Sequence, residues 1–173
     1  GSITAYTSGS TRWIYTTARR GGRVVYAFNV SNLNTDTGSP ELLWKIGCPT
    51  NLPDSGDTPY PVGGYPDTID DGCTSGFDDL GQTWSVPKPL ETLGYTASGL
   101  PAPMLIMGGG YDTCEDEDPI KDTCRSSSKG SKVYVMNAAT GELLNTFDTD
   151  RGVAADVFVV PEFIRNSAGE IVQ

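Results

Sequence analysis

One strand–turn–strand pattern occurs twice in this chain, and it is the strongest constraint on the fold. The first copy is residues 22–44, GRVVYAFNVSNLNTDTGSPELLW, and the second is residues 130–146, GSKVYVMNAATGELLNT. In the alignment, YAFN at residues 26–29 matches YVMN at residues 134–137, and both copies then have a polar turn and a Glu-Leu-Leu strand. Alternating apolar and polar residues on both sides of a turn predict a β-hairpin. The chain therefore contains the same hairpin in two places.

The repeat extends beyond the hairpin. A β-type run precedes each copy, at residues 12–17 and 101–107, and another follows it, at residues 82–86 and 155–160. We therefore expect about four strands in each repeat. Four-stranded antiparallel units in series are typical of β-propeller blades, which bury their faces against their neighbours. Two ordinary hairpins in a β-sandwich are the alternative.

The predicted fold is all-β, with about two antiparallel four-stranded blades of a quinoprotein-like β-propeller and long disulfide-tied loops. We interpret residues 1–173 as one partial propeller domain, because closed propellers have roughly four to eight blades. The first blade region covers about residues 12–90 with an insertion at 47–80. The second covers about residues 101–160 with an acidic insertion at 108–130. The 21 glycines and 12 prolines fit this interpretation, since these residues punctuate short strands and disfavour helices.

The four cysteines predict two local disulfides, Cys48–Cys73 and Cys114–Cys124. Each pair brackets a polar loop that cannot bury a core of its own. A zinc site is the alternative, but zinc sites use Cys-x2–4-Cys spacing, often with histidine. Neither pair has that spacing, and the chain has no histidine. Disulfides indicate an oxidising compartment, such as the periplasm, the cell surface or the extracellular space.

The net charge of −10 disfavours two classes of partner. Nucleic-acid backbones and anionic membrane surfaces would both be repelled. We expect no membrane insertion, because no apolar run approaches the eighteen or so residues of a membrane-spanning helix. The absence of histidine and of nucleophile-elbow, zincin, Walker and dinucleotide motifs leads us to expect no enzymatic activity.

The acidic insertion is the best candidate for binding a cation. Calcium prefers six to eight oxygen ligands, largely from carboxylates. Its candidate ligands here are Asp112, Asp116, Asp118 and Asp122. The alternative is a solvated acidic surface loop without a cation. A second, weaker set of candidate ligands is Asp67, Asp70, Asp71, Asp78 and Asp79.

The two cysteine-bounded loops are also candidates for contact with a partner, since long loops on a rigid scaffold often carry recognition. Tyr60 and Tyr65 in the first loop are suited to an interface. The alternative is that both loops only cover the edges of the blades. Trp44 and Trp84 lie in strand patterns, and we expect them to be packing residues.

The order of motifs resembles a known family. The amino-acid sequence of the hairpin is similar to that of quinoprotein-like propellers. The order of all the motifs along the chain resembles the C-terminal propeller of the type IV pilus tip adhesin and assembly-factor family, the PilC/PilY group. The matching segments are GRVVYAFNVSN (22–32), ELLWKIG (41–47), LGQTWSVPKP (80–89), MLIMGGGYD (104–112), GSKVYVMNAATGELL (130–144) and GVAADVFVV (152–160).

This resemblance implies an exported bacterial protein at the pilus tip, on the outer membrane surface or in the periplasm. It implies roles in pilus biogenesis, twitching motility and adhesion, with pilins or minor pilins and host or surface receptors as partners. The family's calcium loop follows the strand that matches residues 155–160. In this chain residues 161–173 contain only Glu162 and Glu170 as acidic residues, so that site does not carry over.

Two other functions are alternatives to the pilus role. One is a scaffold propeller of the outer envelope without a role in pili. The other is a fragment of a quinone-dependent dehydrogenase, although the chain lacks the adjacent cysteines common in those enzymes.

Overall fold

The computed structural model describes residues 2–33, 38–48, 73–97, 100–116 and 129–160. These residues form two four-stranded antiparallel sheets, and in each sheet the strands lie side by side in chain order. Sheet 1 contains β1 (Ile3–Ser8), β2 (Thr11–Thr17), β3 (Arg23–Asn29) and β4 (Glu41–Cys48). Sheet 2 contains β5 (Lys88–Ala97), β6 (Leu100–Gly108), β7 (Lys132–Asn137) and β8 (Leu143–Asp148).

The all-β class and the four-stranded antiparallel units are confirmed. The two repeated hairpins are β3–β4 and β7–β8, the third and fourth strands of their sheets. A short 3-10 turn, Thr113–Asp116, follows β6. In the described ranges, no helix has the length and apolar character needed to cross a membrane.

The strands predicted after each hairpin are wrong. Residues 82–86 form a link between the sheets, because their hydrogen bonds go to both. The backbone of Thr83 pairs with that of Arg19 next to β2, and the backbone of Gln82 pairs with that of Tyr111 after β6. Residues 155–160 form no strand, and the side chain of Phe158 is 87% exposed.

The strand that completes each sheet instead lies before the hairpin, as the first strand of that sheet. β1 precedes the predicted run at residues 12–17, and β5 includes Pro89, which resembles a strand terminator in the sequence. Among the described strands, β5 lies at the edge of sheet 2 and pairs with β6 alone. Proline lacks a backbone N–H, so edge strands tolerate it while central strands do not. The Tyr6 hydroxyl donates to the Glu91 carboxylate and so joins the two first strands.

The two sheets share their local irregularities, which confirms that the repeat is structural. A register shift occurs between Ala27 and Phe28 in sheet 1 and between Val135 and Met136 in sheet 2. These are matching positions in the sequence alignment. A β-bulge at the same place in both hairpins bends both fourth strands in the same way.

The asparagine that occurs at the matching position of both hairpins has the same role in both sheets. Asn29 Oδ1 accepts a hydrogen bond from the backbone N–H of Ser31 at 3.0 Å. Asn137 Oδ1 accepts one from the backbone N–H of Ala139 at 2.8 Å. Such side-chain-to-backbone bonds two residues ahead start a turn. The asparagine therefore ends the third strand in each sheet.

The sheets pack face to face around a shared core. The Trp44 indole N–H donates to the Ala138 carbonyl at 3.0 Å, and the Tyr15 hydroxyl donates to the same carbonyl at 3.2 Å. The ring of Phe77 stacks on Tyr134 with centroids 5.1 Å apart. Trp44 is thus a packing residue, as predicted. The buried core residues are Tyr15, Val25, Ala27, Trp44, Ile46, Phe77, Leu80, Leu105, Met107, Tyr134, Met136 and Ala138.

The sheets contribute opposite faces of the repeat to this core. Val25 and Ala27 of β3 face sheet 2, whereas Tyr134 and Met136 of β7 face sheet 1. In the alignment, Tyr134 matches Tyr26, which points away from the core. Neighbouring units of a repeat protein stack in this way, with the front of one unit against the back of the next.

The disulfide Cys48–Cys73 is confirmed. Cys48 is buried at the end of β4, and the Thr74 N–H donates to the Gly47 carbonyl at 2.8 Å. A bridge with a sequence separation of 25 contributes on the order of 3 kcal/mol by the loop-entropy argument. Cys124 lies outside the described residues, so the Cys114–Cys124 bond stays a prediction.

The segment after Cys73 is held by a buried arginine. The Arg23 guanidinium donates to the backbone carbonyls of Asp78, at 2.7 Å, and Leu80. A buried charge needs such hydrogen bonds to offset its lost hydration. Phe77 and Leu80 are thereby placed in the core between the sheets.

We predict that the shared core dominates the stability of the chain. Leu105→Ala, in the core, is expected to lower the free energy of unfolding by about 2–5 kcal/mol, because it removes fully buried methyl groups. Leu42→Ala is the matched control, since Leu42 is 52% exposed, and we expect a loss below about 1 kcal/mol. Urea unfolding at low protein concentration measures both. Equal losses would contradict the prediction that the shared core dominates the stability.

Candidate functional site

The candidate site lies where the chain leaves β6 and crosses the link between the sheets. Gly81 N–H donates to the Gly109 carbonyl at 2.8 Å, and the backbones of Gln82 and Tyr111 exchange two hydrogen bonds. Gly110 has a φ of 105°, and an added Cβ would lie 2.2 Å from the Gln82 carbonyl oxygen. The close approach of the Gly110 and Gln82 backbones therefore requires glycine at position 110. This approach positions the acidic turn that follows.

Asp112 closes the acidic insertion at its base. Its side chain is mostly buried, and Oδ2 accepts a hydrogen bond from the backbone N–H of Lys129 at 2.7 Å. Its carbonyl accepts from the Glu115 N–H at 3.1 Å and so begins the 3-10 turn. Asp112 thus joins the two ends of the insertion, whatever else it binds.

Asp116 is exposed and interacts with Tyr111. The Tyr111 hydroxyl donates to Asp116 Oδ1 at 2.7 Å. This bond raises the pKa of Tyr111 to about 12, because a carboxylate acceptor stabilises the protonated phenol. Partial burial and the charges of Asp116 and Glu115 act in the same direction.

The structure describes two of the four predicted calcium ligands, Asp112 and Asp116, while Asp118 and Asp122 lie outside the described residues. In the described part of the chain, no three acidic, cysteine or histidine side chains form a group that could hold a metal ion. Calcium binding by this loop stays a prediction.

The second set of candidate ligands is described only at Asp78 and Asp79, because Asp67, Asp70 and Asp71 lie outside the described residues. The Asp79 carboxylate forms an ion pair with Lys132 at 3.3 Å. The Asp78 backbone carbonyl accepts from Lys129 Nζ at 3.0 Å. Tyr60 and Tyr65, predicted to contact a partner, also lie outside the described residues.

A pocket of about 210 Å³ adjoins the Tyr111–Asp116 pair. Sequence reasoning missed this pocket, because its residues come from separate segments of the chain. Trp84, expected to pack within a strand, is instead half-buried and forms one wall. The residues that line the pocket are Arg20, Trp84, Tyr111, Asp116 and Ala154.

The pocket combines two aromatic rings with charges of both signs. The Arg19 guanidinium lies 5.4 Å from the centroid of the Trp84 ring, and the Trp84 N–H donates to Gln82 Oε1 at 3.2 Å. Arginine favours the faces of aromatic rings and binds carboxylates. These groups suit recognition of a polar ligand. The pairing of adjacent Arg19 and Arg20 in the β2–β3 turn is the sequence signal that could have indicated the pocket.

Comparisons with known proteins gave one structural match. No protein-family model matches the sequence, and no curated protein matches it. The fold is similar to the crystal structure of the PilY1 C-terminal domain from Pseudomonas aeruginosa, with a TM-score of 0.48 and 16% sequence identity. The match covers 86% of this chain and 21% of that chain, so this chain spans about a fifth of the solved domain.

We predict that Asp116 controls the titration of Tyr111. Asp116→Asn removes the carboxylate and should lower the pKa of Tyr111 from about 12 towards the usual value of about 10. Since the folded pKa is raised, the bond stabilises the fold below pH 10 or so and is lost as the pH rises towards 12. NMR titration of ring-labelled tyrosine measures this. The remote Glu142→Gln should leave Tyr111 unchanged, and an unshifted Tyr111 in Asp116→Asn would contradict the assignment.

We also predict that the acidic insertion binds calcium. Calorimetric titration of the oxidised chain should give heat at or below millimolar calcium, in the range of extracellular sites. A variant with Asp116, Asp118 and Asp122 changed to asparagine should lose that heat. The control changes three exposed acids elsewhere, Glu41→Gln, Glu142→Gln and Asp150→Asn, and should retain it. Equal heats in both variants would refute a site in this insertion.

Proposed function

We propose that the chain is a non-enzymatic binding module of a type IV pilus-associated surface protein outside the cytoplasm. The observation that carries this proposal is the stacking of two equivalent four-stranded sheets. Five of the six motifs whose order resembles the pilus family lie in these sheets and the link between them, while the sixth, residues 152–160, forms no strand.

The arrangement of the pocket supports binding over catalysis. The Tyr111 hydroxyl is bound to Asp116, and its raised pKa keeps it protonated at neutral pH. A protonated, hydrogen-bonded phenol is a poor nucleophile and a poor base. Arg20 and Trp84 add a charge and an apolar surface, which are groups for recognition.

The disulfide supports a location outside the cytoplasm. Cys48–Cys73 joins the end of β4 to the segment that enters the core. Such structural disulfides form and persist in oxidising compartments. The proposed sites are the pilus tip, the outer membrane surface or the periplasm.

The finer proposal is a role in pilus biogenesis, twitching motility and adhesion. Pilins, minor pilins and surface receptors are the proposed partners. The two cysteine-bounded loops and the pocket beside Tyr111 are the proposed contact surfaces, and the pocket lies beside the link between the stacked sheets. A scaffold role in the outer envelope without pili is the competing function.

A pocket variant in the producing bacterium tests this proposal. Arg20→Glu reverses the charge at the pocket, and we expect reduced twitching motility and surface attachment while the protein is exported at its normal level. Arg151→Glu is the matched control, since Arg151 is exposed outside the residues that line the pocket, and it should leave both unchanged.

Deletion of the gene separates the pilus role from the scaffold role. We expect surface pili to be lost on deletion and restored when the gene is supplied again, as counted by electron microscopy. Normal pili and motility in the deletion strain, with an altered envelope, would instead support the scaffold role and overturn the proposal.

A further inference from the structure

The segments that follow β4 and β8 make the same backbone hydrogen bonds, one set in each repeat. After β2, the Arg19 N–H donates to the Thr83 carbonyl at 3.3 Å. After β6, the Gly110 N–H donates to the Val153 carbonyl at 3.0 Å. Thr83 and Val153 each also donate to the carbonyl of a glycine, which lies shortly before β3 and β7, respectively. Arg19 and Gly110 are therefore equivalent residues of the two repeats, and Thr83 is equivalent to Val153 in the same way.

Equivalent residues of the two repeats meet in the pocket. Arg20 and Tyr111 directly follow the first equivalent pair, and Trp84 and Ala154 directly follow the second. All four line the pocket. The two repeats thus share the backbone hydrogen bonds of this region and differ in its side chains. Ala154 has a methyl group where the first repeat has the Trp84 ring, and the smaller side chain leaves room for the pocket.

Arg19 has a backbone conformation that favours glycine. Its φ is 53°, and the equivalent Gly110 has a φ of 105°. A residue with a Cβ is disfavoured at such angles and is retained where the surrounding structure or function requires it. The Arg19 guanidinium donates to Ser2 Oγ at 2.8 Å and lies beside the Trp84 ring. Arg19 therefore supports the wall of the pocket, and Arg20 is the arginine that lines it.

Arg20 is the side-chain donor of the pocket that is available to a ligand. The Tyr111 hydroxyl already donates to Asp116, and the Trp84 N–H already donates to Gln82. Arg20 is exposed, and its guanidinium forms no hydrogen bond or ion pair with the described residues. A guanidinium has five N–H donors and no acceptor. The pocket can therefore satisfy one anionic group, which Arg20 would bind.

The surroundings of Arg20 favour a single carboxylate over other anions. A guanidinium binds a carboxylate through two parallel hydrogen bonds. A phosphate dianion would be repelled more strongly by the exposed Glu115 and Asp116 and by the net charge of −10. A sugar would bring several hydroxyl groups to a pocket with one free side-chain donor. The volume of about 210 Å³ is below the roughly 300–1,000 Å³ of sites for drug-sized ligands, so it suits one amino-acid side chain.

We infer that the pocket binds the carboxylate of a partner polypeptide, from an aspartate or glutamate side chain or from a chain terminus. Arg20 binds the carboxylate, and the rings of Trp84 and Tyr111 contact the aliphatic carbons that carry it. This inference deepens the proposed function, because it names the chemical group that the module recognises. It rests on that function only for the role of the pocket in recognition.

Peptide probes test the inference by NMR titration of the isotope-labelled, oxidised chain. One probe is a short blocked peptide with a central glutamate, and a second is an alanine peptide with a free terminal carboxylate. The blocked peptide with glutamine in place of glutamate is the uncharged control, and glucuronate is an acidic sugar for comparison. The signal of the Trp84 indole N–H reports binding. The indole signals of Trp13 and Trp44 are internal references, because neither residue lines the pocket.

We expect a saturable shift of the Trp84 signal with at least one carboxylate peptide, with a dissociation constant in the millimolar range or below. Arg20→Gln should raise that constant about tenfold or more, because it removes charge-assisted hydrogen bonds. Ala154→Trp introduces the residue of the first repeat and should abolish binding by filling the pocket. Arg151→Gln is the matched control, since Arg151 is exposed outside the pocket, and it should bind as the wild type does. Circular dichroism verifies that each variant is folded.

The inference is overturned if the wild-type chain shows no saturable shift with either carboxylate peptide, or if the glutamine peptide binds as tightly. It is also overturned if Arg20→Gln or Ala154→Trp binds as the wild type does, or if glucuronate binds more tightly than both peptides. Because the purified chain is used, these results are independent of pili. A failed titration together with lost pili on deletion of the gene would refute the ligand and leave the pilus role standing. A positive titration together with normal pili would do the reverse.

Discussion

The carbonyl of Ala138 is the point on which the two sheets depend. It accepts hydrogen bonds from the Trp44 indole and the Tyr15 hydroxyl, and both donors would be unpaired in the core without it. The turn that carries Ala138 approaches closely because Gly141, with a φ of 74°, leaves room for the Trp44 ring. An added Cβ at Gly141 would lie 2.9 Å from that ring. The contact between the sheets therefore requires both the hydrogen bonds to the Ala138 carbonyl and the absence of a side chain at Gly141.

The link between the sheets positions the residues of the candidate site. Thr83 is fully buried, and its hydroxyl donates to the Val24 carbonyl at 3.0 Å, while Gln82 pairs with Tyr111 beyond β6. One short segment thus connects the end of sheet 1 with the start of the acidic insertion. Trp84 follows directly and forms a wall of the pocket. The position of Tyr111 and Asp116 therefore depends on how the sheets are stacked.

The candidate site could be predicted only in part. The carboxylates of Asp112 and Asp116 are evident from composition, but their hydrogen bonds to the Lys129 backbone and to Tyr111 are not. The adjacent Arg19 and Arg20 are a signal for the pocket, but nothing in the sequence places Arg20 beside Ala154, which is distant along the chain. A pocket formed by separate segments exists only after the chain has folded.

The sequence by itself determined the two hairpins, the turns at Asn29 and Asn137, and the Cys48–Cys73 bond, because periodicity, turn chemistry and loop closure act over short distances. Only the tertiary structure decided which strand completes each sheet. Residues 82–86 and 155–160 have the composition of strands, yet β1 and β5 occupy the edges. The alternation of side chains specifies which face of a strand is apolar, whereas its partner is selected by the packing of the whole sheet. That packing also decided which face of each repeat became the core.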